Sequence, residues 1–440
     1  MLVVGAGLSG LACARRLAAA GRDVRVVEAR DRVGGRTYSV ALGTDVIDLG
    51  GQWIGPGQTR VRALVDELGV QTFPQFHDGS RLLDLGGRLR RYAGTIPRVG
   101  IPTLAAMAVT MKRLERLRLS VPTDQPWMAP NAERLDAQTL ADWLGRNVPT
   151  REGRALLSIA ARAIFAAEPG ELSFLHFLAY LNHGGGLERL AEVAGGAQER
   201  RLVGGVQQLS QRLAEPLGER LHLGAPVRAI DQATSVRVST DAGDFEADRV
   251  VVALAPALAG RLHYTPALPS QRDRASQRMP MGSALKVVAA YERPFWRERG
   301  LSGEAISDRG PLRLVMDDSS HDGSQHALVG FFLGETAARF TGRPAERRAA
   351  ALDSFARFFG DEARDPIAYV DQDWIAEPFS RGCYAGTFGP GVWTTLGDAL
   401  RAPCGRVHWA GTETAREWMG YFEGALEAGE RAALEVLAAL

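Results

Sequence analysis

The chain has 440 residues, 45% of them hydrophobic, with 52 basic and 51 acidic side chains and a formal net charge of +1. That length supports a large core split over two domains, and the balanced charge gives no footing for nucleic acid or for long-range steering of a charged ligand. Three scattered cysteines exclude a disulfide framework and point to a reducing cytoplasm, and no run of 18 uninterrupted apolar residues suggests a membrane span.

The chain opens on a short apolar strand, Leu2, Val3 and Val4, which runs at once into Gly5-Ala6-Gly7-Leu8-Ser9-Gly10 and a helix expected over 8–20. That strand starts almost at the first residue, and no secretory leader is expected. A second strand over 23–28 ends on the acid Glu28, 18 residues after Gly10. Each part has a physical task. Gly5 permits the tight turn, Gly7 lets the backbone approach a pyrophosphate, and Gly10 lets the helix pack on the strand. The helix start offers a positive end to the phosphates, and Glu28 suits ribose hydroxyls. Strand, loop, helix, strand and acid in this order point to a dinucleotide site. The following Ala29-Arg30-Asp31-Arg32-Val33-Gly34-Gly35-Arg36 adds a second glycine pair and a cation able to reach the same phosphates, an element that nicotinamide enzymes do not usually need.

Further along, apolar spacing predicts helices over 58–69, 103–119, 152–166, 171–182, 206–215, 344–359 and 421–439. Strands are expected over 80–84, 88–92, 226–231, 235–240, 249–254, 284–291, 327–333 and 407–410. Residues 122–130 read as a surface loop. The basic amphipathic helix ending near Arg118 reads as packed with a solvated face, a helix lying on a membrane being the alternative, and the cluster from Arg343 to Arg348 reads as a solvated face. No fixed-period repeat occurs, and the eight histidines show no metal-ligand spacing, so no metal is expected. The strand 407–410 runs into Gly411-Thr412-Glu413 and a long helix, a third piece able to reach the same cofactor. One cofactor domain in three segments is therefore expected, with a second domain inserted between them.

Basic residues are almost all arginine, and Lys286 is one of only two lysines. It lies inside the apolar strand 284–291, where burial is costly without a partner and disfavours the ammonium form.

With these motifs in view, the chain resembles the flavin-containing monoamine oxidase family of FAD-dependent amine oxidases over essentially its whole length. The stretches that carry the resemblance are Gly34-Gly35-Arg36, Leu49-Gly50-Gly51-Gln52-Trp53-Ile54-Gly55-Pro56, Gln198-Glu199-Arg200-Arg201-Leu202-Val203-Gly204-Gly205 and Met281-Gly282-Ser283-Ala284-Leu285-Lys286. To these are added Pro378-Phe379-Ser380-Arg381-Gly382-Cys383-Tyr384 and the run from Ala410-Gly411-Thr412-Glu413 to Gly420-Tyr421-Phe422-Glu423-Gly424-Ala425. The resemblance implies an α/β fold (α+β overall): a Rossmann-like FAD-binding domain over 1–77, 202–277 and 378–440, with a mixed-sheet and helical substrate domain over 78–201 and 278–377.

It also implies roles residue by residue. Lys286, Tyr384 and Tyr421 are the expected catalytic positions: the lysine holds a water near the flavin and is linked to reoxidation by oxygen, and the two tyrosines form an aromatic cage that aligns a neutral amine. Cofactor contacts are expected from Gly5, Gly7, Ser9, Gly10, Glu28, Ala29, Arg30, Gly35, Arg36, Gly51, Gln52, Trp53, Val227, Trp374, Cys383, Gly411, Glu413, Gly420, Tyr421 and Phe422. Gln198, Ile164, Phe165 and Ala191 are expected at the substrate cavity. Cys383 stands where covalent members of the family attach FAD through a thioether, although a family glycine is replaced by Arg381; a covalent link and a free thiol both stay open.

The implied reaction is oxidative deamination of a primary or secondary monoamine by hydride transfer to flavin N5, with oxygen reduced to hydrogen peroxide. The partners are then a small-molecule amine and oxygen, with a homodimer left open. Animal members continue into a membrane tail where this chain stops at Leu440, so a soluble enzyme without a stable anchor is expected. Amino-acid oxidases of the superfamily place a carboxylate-clamping arginine soon after the second Gly-Gly pair, where this chain has Gln52-Trp53-Ile54. No acidic pair can be assigned to the cavity from sequence, which favours a monoamine. An L-amino-acid oxidase, a flavin desaturase and a flavin-binding protein without turnover are the alternatives.

Overall fold

A computed structural model describes residues 1–94, 99–233 and 235–440; residues 95–98 and 234, which fall within the expected 78–201 and 202–277 segments, lie outside them. Five parallel strands form the sheet that carries the glycine-rich turn, in the order Val407–Trp409, Val250–Val252, Leu2–Val4, Arg25–Val27, Leu221–His222. Val250–Val252 is buried throughout, as expected for a parallel strand covered on both faces. The first helix, Leu8–Ala19, packs against the last, Phe422–Ala438. Their approach is so close that a Cβ on Gly429 would lie 2.1 Å from the Ser9 carbonyl oxygen. This contact joins the two ends of the chain around one core.

A seven-stranded sheet forms a second body, in the order Ala368–Asp373, Ala284–Tyr291, His326–Leu333, Leu314–Asp317, Leu301–Ser307, Ser80–Leu85, Arg88–Tyr92. The Ala284–Tyr291 strand is flanked on both edges and all eight of its residues are buried. Helices Ile101–Leu119, Leu140–Asn147, Arg151–Phe165 and Phe174–His183 build a third core, into which Phe388, Val392, Trp393 and Leu396 also pack. Those last residues come from the 378–440 stretch expected in the cofactor domain, so part of that stretch serves the helical body instead.

Several elements differ from the sequence expectation for identifiable reasons. The helix expected from 171 starts at Phe174, because the Ser173 side chain accepts the His176 N–H and caps it. The strands Leu301–Ser307, Leu314–Asp317 and Ala368–Asp373 were not expected; their apolar residues are interrupted by Gly303, Asp317, Asp371 and Asp373, which blur the period of two. The 343–348 cluster is not wholly a solvated face: Arg347 is buried and pairs with Asp371 at 2.6 Å and Asp373 at 3.4 Å. On the basic helix, Arg118 is likewise buried, bonding to Glu115 and Asn182. Among the described residues, no helix is long and apolar enough to cross a membrane, and no cluster of three metal-ligating side chains occurs.

Candidate active site

The strand-to-helix turn is shaped by its glycines. A Cβ on Gly10 would fall 1.9 Å from the Gly5 carbonyl oxygen, and one on Gly5 would meet the Ala253 carbonyl at 3.0 Å, while Gly5 itself adopts φ +102°. Gly7 is different in kind: a Cβ there would meet nothing nearer than 3.8 Å. No protein contact demands that glycine, so its bare face serves whatever occupies the cavity beside it. The helix begins at Leu8 with no side-chain cap and no acid in its first turn, leaving its amide end available to an anion.

That cavity, of about 560 Å³, is lined by Gly5, Gly7, Ser9, Glu28, Ala29, Arg30, Gly35, Arg36, Gly51, Val227, Gly411 and, at its inner end, Cys383, Gly420, Tyr421 and Phe422. Glu28 is buried and accepts the Ala6 N–H at 2.8 Å and the Arg30 N–H at 3.0 Å, which holds its carboxylate at the end of the second strand. The Arg30 Nε is buried without a partner. An uncapped helix start, an open glycine face and a fixed carboxylate on the neighbouring strand make a donor and acceptor set that fits a dinucleotide.

Five positions expected at the cofactor stand elsewhere. Gly10 lies behind the turn, pressed on Gly5. Glu413 is fully buried behind the cavity wall, where it accepts from Arg36 at 2.6 and 3.2 Å and from the Gly386 N–H at 3.1 Å. Gln52, Trp53 and Trp374 face a second cavity of about 800 Å³. The side chains of the last two are held by Trp53 Nε1–Gln75 Oε1 at 2.8 Å and Trp374 Nε1–Leu49 O at 2.9 Å.

The second cavity also contains Ile164, Ala191, Gln198 and Lys286. Gln198 donates to the Leu190 carbonyl at 3.1 Å, and its Oε1 is buried without a partner. Phe165 does not line this cavity; its ring packs 4.5 Å from that of Tyr180 and 5.9 Å from that of Phe177, within the helical core. Ile164 thus faces the cavity while Phe165, at the end of the same helix, turns into the helical core.

Six residues line both cavities: Gly51, Cys383, Tyr384, Gly420, Tyr421 and Phe422. The two spaces therefore meet between Tyr384 and Tyr421. Burial pushes both phenols above their ordinary range, so they are neutral hydroxyls. Tyr384 is oriented by its carbonyl, which accepts from Arg36 at 2.9 Å, and by the Phe331 ring at 6.5 Å. Tyr421 packs against Trp418 at 5.2 Å and Tyr180 at 6.1 Å. Tyr180 was not singled out from sequence. The signal was a lone hydroxyl in a largely apolar helix, where a buried polar group needs a purpose.

Lys286 is buried, and its Nζ donates to the Gly50 carbonyl at 2.9 Å and to Gln52 Oε1. Burial pushes its amine down to about 8, against the opposing pull of Asp318 and Asp48. Burial likewise pushes the Cys383 thiol up to about 12, with Arg36 drawing it the other way.

A group missed in the sequence lines the same cavity: Arg81 pairs with Glu192 at 2.9 Å and with Glu304 at 3.0 Å. Two carboxylates thus share one guanidinium. Burial pushes Glu304 up to about 7, with Arg81 opposing and Glu192 reinforcing the rise. The three residues are separated by more than a hundred positions each, so no local spacing announces them.

Known proteins resemble this chain over its whole length. The family profile described as flavin containing amine oxidoreductase matches residues 8–437. A probable flavin-containing monoamine oxidase A of Dictyostelium discoideum is 42% identical over 441 residues, covering 99% of this chain and 97% of the relative. The flavin-containing amine oxidase A of Equus caballus is 38% identical, covering all of this chain and 85% of its own length. Among solved structures, a putrescine oxidase bound to putrescine superposes with a TM-score of 0.95 at 34% identity, covering 99% of this chain and 98% of that one. Cyclohexylamine oxidase from Brevibacterium oxydans superposes with a TM-score of 0.94 at 33% identity, covering 100% and 98%.

Proposed function

Because the chain belongs to the flavin containing amine oxidoreductase family, we propose that it oxidises a primary or secondary amine to an imine while oxygen is reduced to hydrogen peroxide. Water then hydrolyses the imine to an aldehyde. FAD held in the first cavity would supply the hydride acceptor and pass the electron pair to oxygen. The remaining contributions come from the chain. Tyr384 and Tyr421 bound the opening between the cavities and fix the approach of an amine, which must arrive neutral so that its lone pair is free. Leu104, Met107, Met111, Leu157, Ile164 and Phe331 line an apolar approach that keeps water away. Lys286 offers a polarised N–H or lone pair at the same end of the cavity, where an oxygen-derived anion would develop.

One observation carries this reading: the glycine-rich cavity and the apolar cavity meet at the two tyrosines, with Lys286 on the apolar side. The amino-acid oxidase alternative wants a free arginine in the cavity. Among the described residues lining it, the single arginine is Arg81, already paired with two carboxylates. Cys383 lines both cavities, which supports it as the attachment point of a thioether to the cofactor. A second reading of the substrate, a compound with two amines, is favoured by Glu192 and Glu304, whose combined charge exceeds that of Arg81.

Anaerobic mixing of the yellow protein with amines and amino acids, followed by flavin absorbance, tests the proposal. Bleaching by an amine, and peroxide on admitting air, is the expected result. Bleaching by amino acids alone would overturn the substrate assignment, and no bleaching would favour a flavin-binding role.

A further inference from the structure

The Lys286 amine is the end of a buried chain of side chains. Gln52 Oε1 accepts from Lys286, Gln52 Nε2 donates to Asp318 Oδ1 at 2.8 Å, and an Arg201 guanidinium nitrogen lies 3.0 Å from that same oxygen. Arg201 also donates to the Ser319 carbonyl at 2.9 Å. None of these four side chains belongs to a residue more than 4% exposed. They come from four separate segments, near positions 52, 201, 286 and 318.

We propose that Asp318, acting through the Gln52 amide, is a positioning residue that aims the Lys286 amine at the meeting point of the two cavities. The inference rests on the amine-oxidase reading above and assigns residues to its oxygen-side group. An amide has one accepting and one donating end, and something must decide which end meets the lysine. Asp318 Oδ1 already faces the donor-only Arg201, so Gln52 must turn its Nε2 there and its Oε1 toward Lys286. With the opposite orientation, the amide N–H would confront the amine N–H. Gly50 and Gln52 then accept two of the lysine's hydrogens. One position on nitrogen is left, a lone pair in the amine or a third N–H in the ammonium, and the other two contacts fix its direction. A flexible four-carbon stem would not hold that direction unaided.

The charged and titratable groups facing Lys286 are Asp318, Asp48, Arg201 and Cys383. The faces of Trp53 and Phe331 lie 5.7 and 5.6 Å from its nitrogen. Asp48 is engaged elsewhere, accepting from Ser39 and from the Val206 N–H. Asp318 is therefore the acid joined to Lys286 through a hydrogen-bonded bridge, while its Oδ2 has no partner.

The lysine content makes the test direct. The chain has two lysines, Lys286 and the exposed Lys112, so holoenzyme labelled with [13Cε]lysine gives two resonances, and Lys112→Arg assigns them. In Asp318→Asn the titration midpoint of Lys286 is expected to fall by about one pH unit, because an opposite charge is removed, with Asp318→Glu staying nearer wild type. The Lys112 midpoint stays put in every variant. An unmoved Lys286 midpoint in Asp318→Asn, with the flavin spectrum retained, overturns the proposal. Should that variant not fold, Gln52→Met tests the bridge: a lowered midpoint is expected, and an unchanged one overturns it. The readout requires no turnover. Loss of the amine-oxidase reading would leave the midpoint shift intact, whereas an unmoved midpoint in an active oxidase would sink only this inference.

Discussion

Arg36 and Glu413, 377 positions apart in the chain, form a two-point ion pair with N–O distances of 2.6 and 3.2 Å. The pair ties the second glycine turn to the segment after the last strand of the parallel sheet. The same Arg36 also holds the Tyr384 carbonyl, so one guanidinium joins both ends of the chain to the wall between the two cavities.

Breaking that pair leaves a cation without its partner in a largely buried setting. Glu413→Gln is expected to cost about 3 kcal/mol in chemical denaturation. Burial raises the Glu413 carboxyl, but Arg36 outweighs it and the net position is below the ordinary 4.5. A depressed carboxyl stabilises above its unfolded value and loses that contribution as the medium becomes more acidic. Wild type should therefore lose more stability than Glu413→Gln as pH falls below that ordinary value.

Lys286 acts in the opposite pH range. Its amine lies at about 8 when folded, against an ordinary 10.5, because burial disfavours the charge. The unfolded chain then binds more protons between those values, so this group makes stability rise with pH across that window. The rise is on the order of 3 kcal/mol and should be absent in Lys286→Met. In stopped-flow work, that variant should be reduced by amine at near wild-type rates and reoxidised about tenfold or more slowly, reflecting the lost polar group. Equal reoxidation rates would remove Lys286 from the oxygen step.

Cys383 offers a test that needs no kinetics. Wild type precipitated in acid should keep its yellow colour with the protein pellet, and intact mass should exceed the chain by one FAD. Cys383→Ala should release the colour to the supernatant. Release from wild type as well would establish the thiol as free.

The backbone of Arg381 lies at φ +55°, in the left-handed region where a side chain is crowded. The glycine expected there by resemblance is thus a conformational preference that this chain forgoes. Arg381→Gly should raise the unfolding free energy by roughly 0.5 kcal/mol, strain relief being partly offset by the greater entropy of glycine in the unfolded chain. Calorimetry or urea denaturation reads the difference.

Glu304 bears on substrate choice. Its carboxyl is pushed up to about 7 by burial, so its charge appears as pH rises through that value. Preference for a diamine over a monoamine, read as the ratio of kcat/KM values, should increase across neutrality. Glu304→Gln should flatten the ratio. A ratio independent of pH in wild type would count against the two-amine reading.

Much of the site was legible in the chain because its signals are local. The glycine turn, the acid ending the second strand and the buried lysine all depend on near neighbours, and each stands where the spacing put it. Phe165, expected at the cavity, packs instead on Tyr180 and Phe177, partners from a separate helix that its own neighbours in the chain do not reveal. No acidic pair could be assigned to the cavity from the chain alone, because Glu192 and Glu304, which line it, meet only across Arg81. Gln52 and Trp53 were expected at the cofactor, yet they line the second cavity, since the glycine pair before them marks where the backbone passes from one cavity to the other.

The nucleotide turn, the apolar strand around Lys286 and the membership of the fold can be read from the chain alone, because short-range geometry and hydrophobic period are written in consecutive residues. Which distant side chains share a charge or an amide emerges only once the chain is folded. Asp318 with Gln52, Glu304 with Arg81, and Arg36 with Glu413 are brought together by sheet order and helix packing, and burial then sets the energy of each contact.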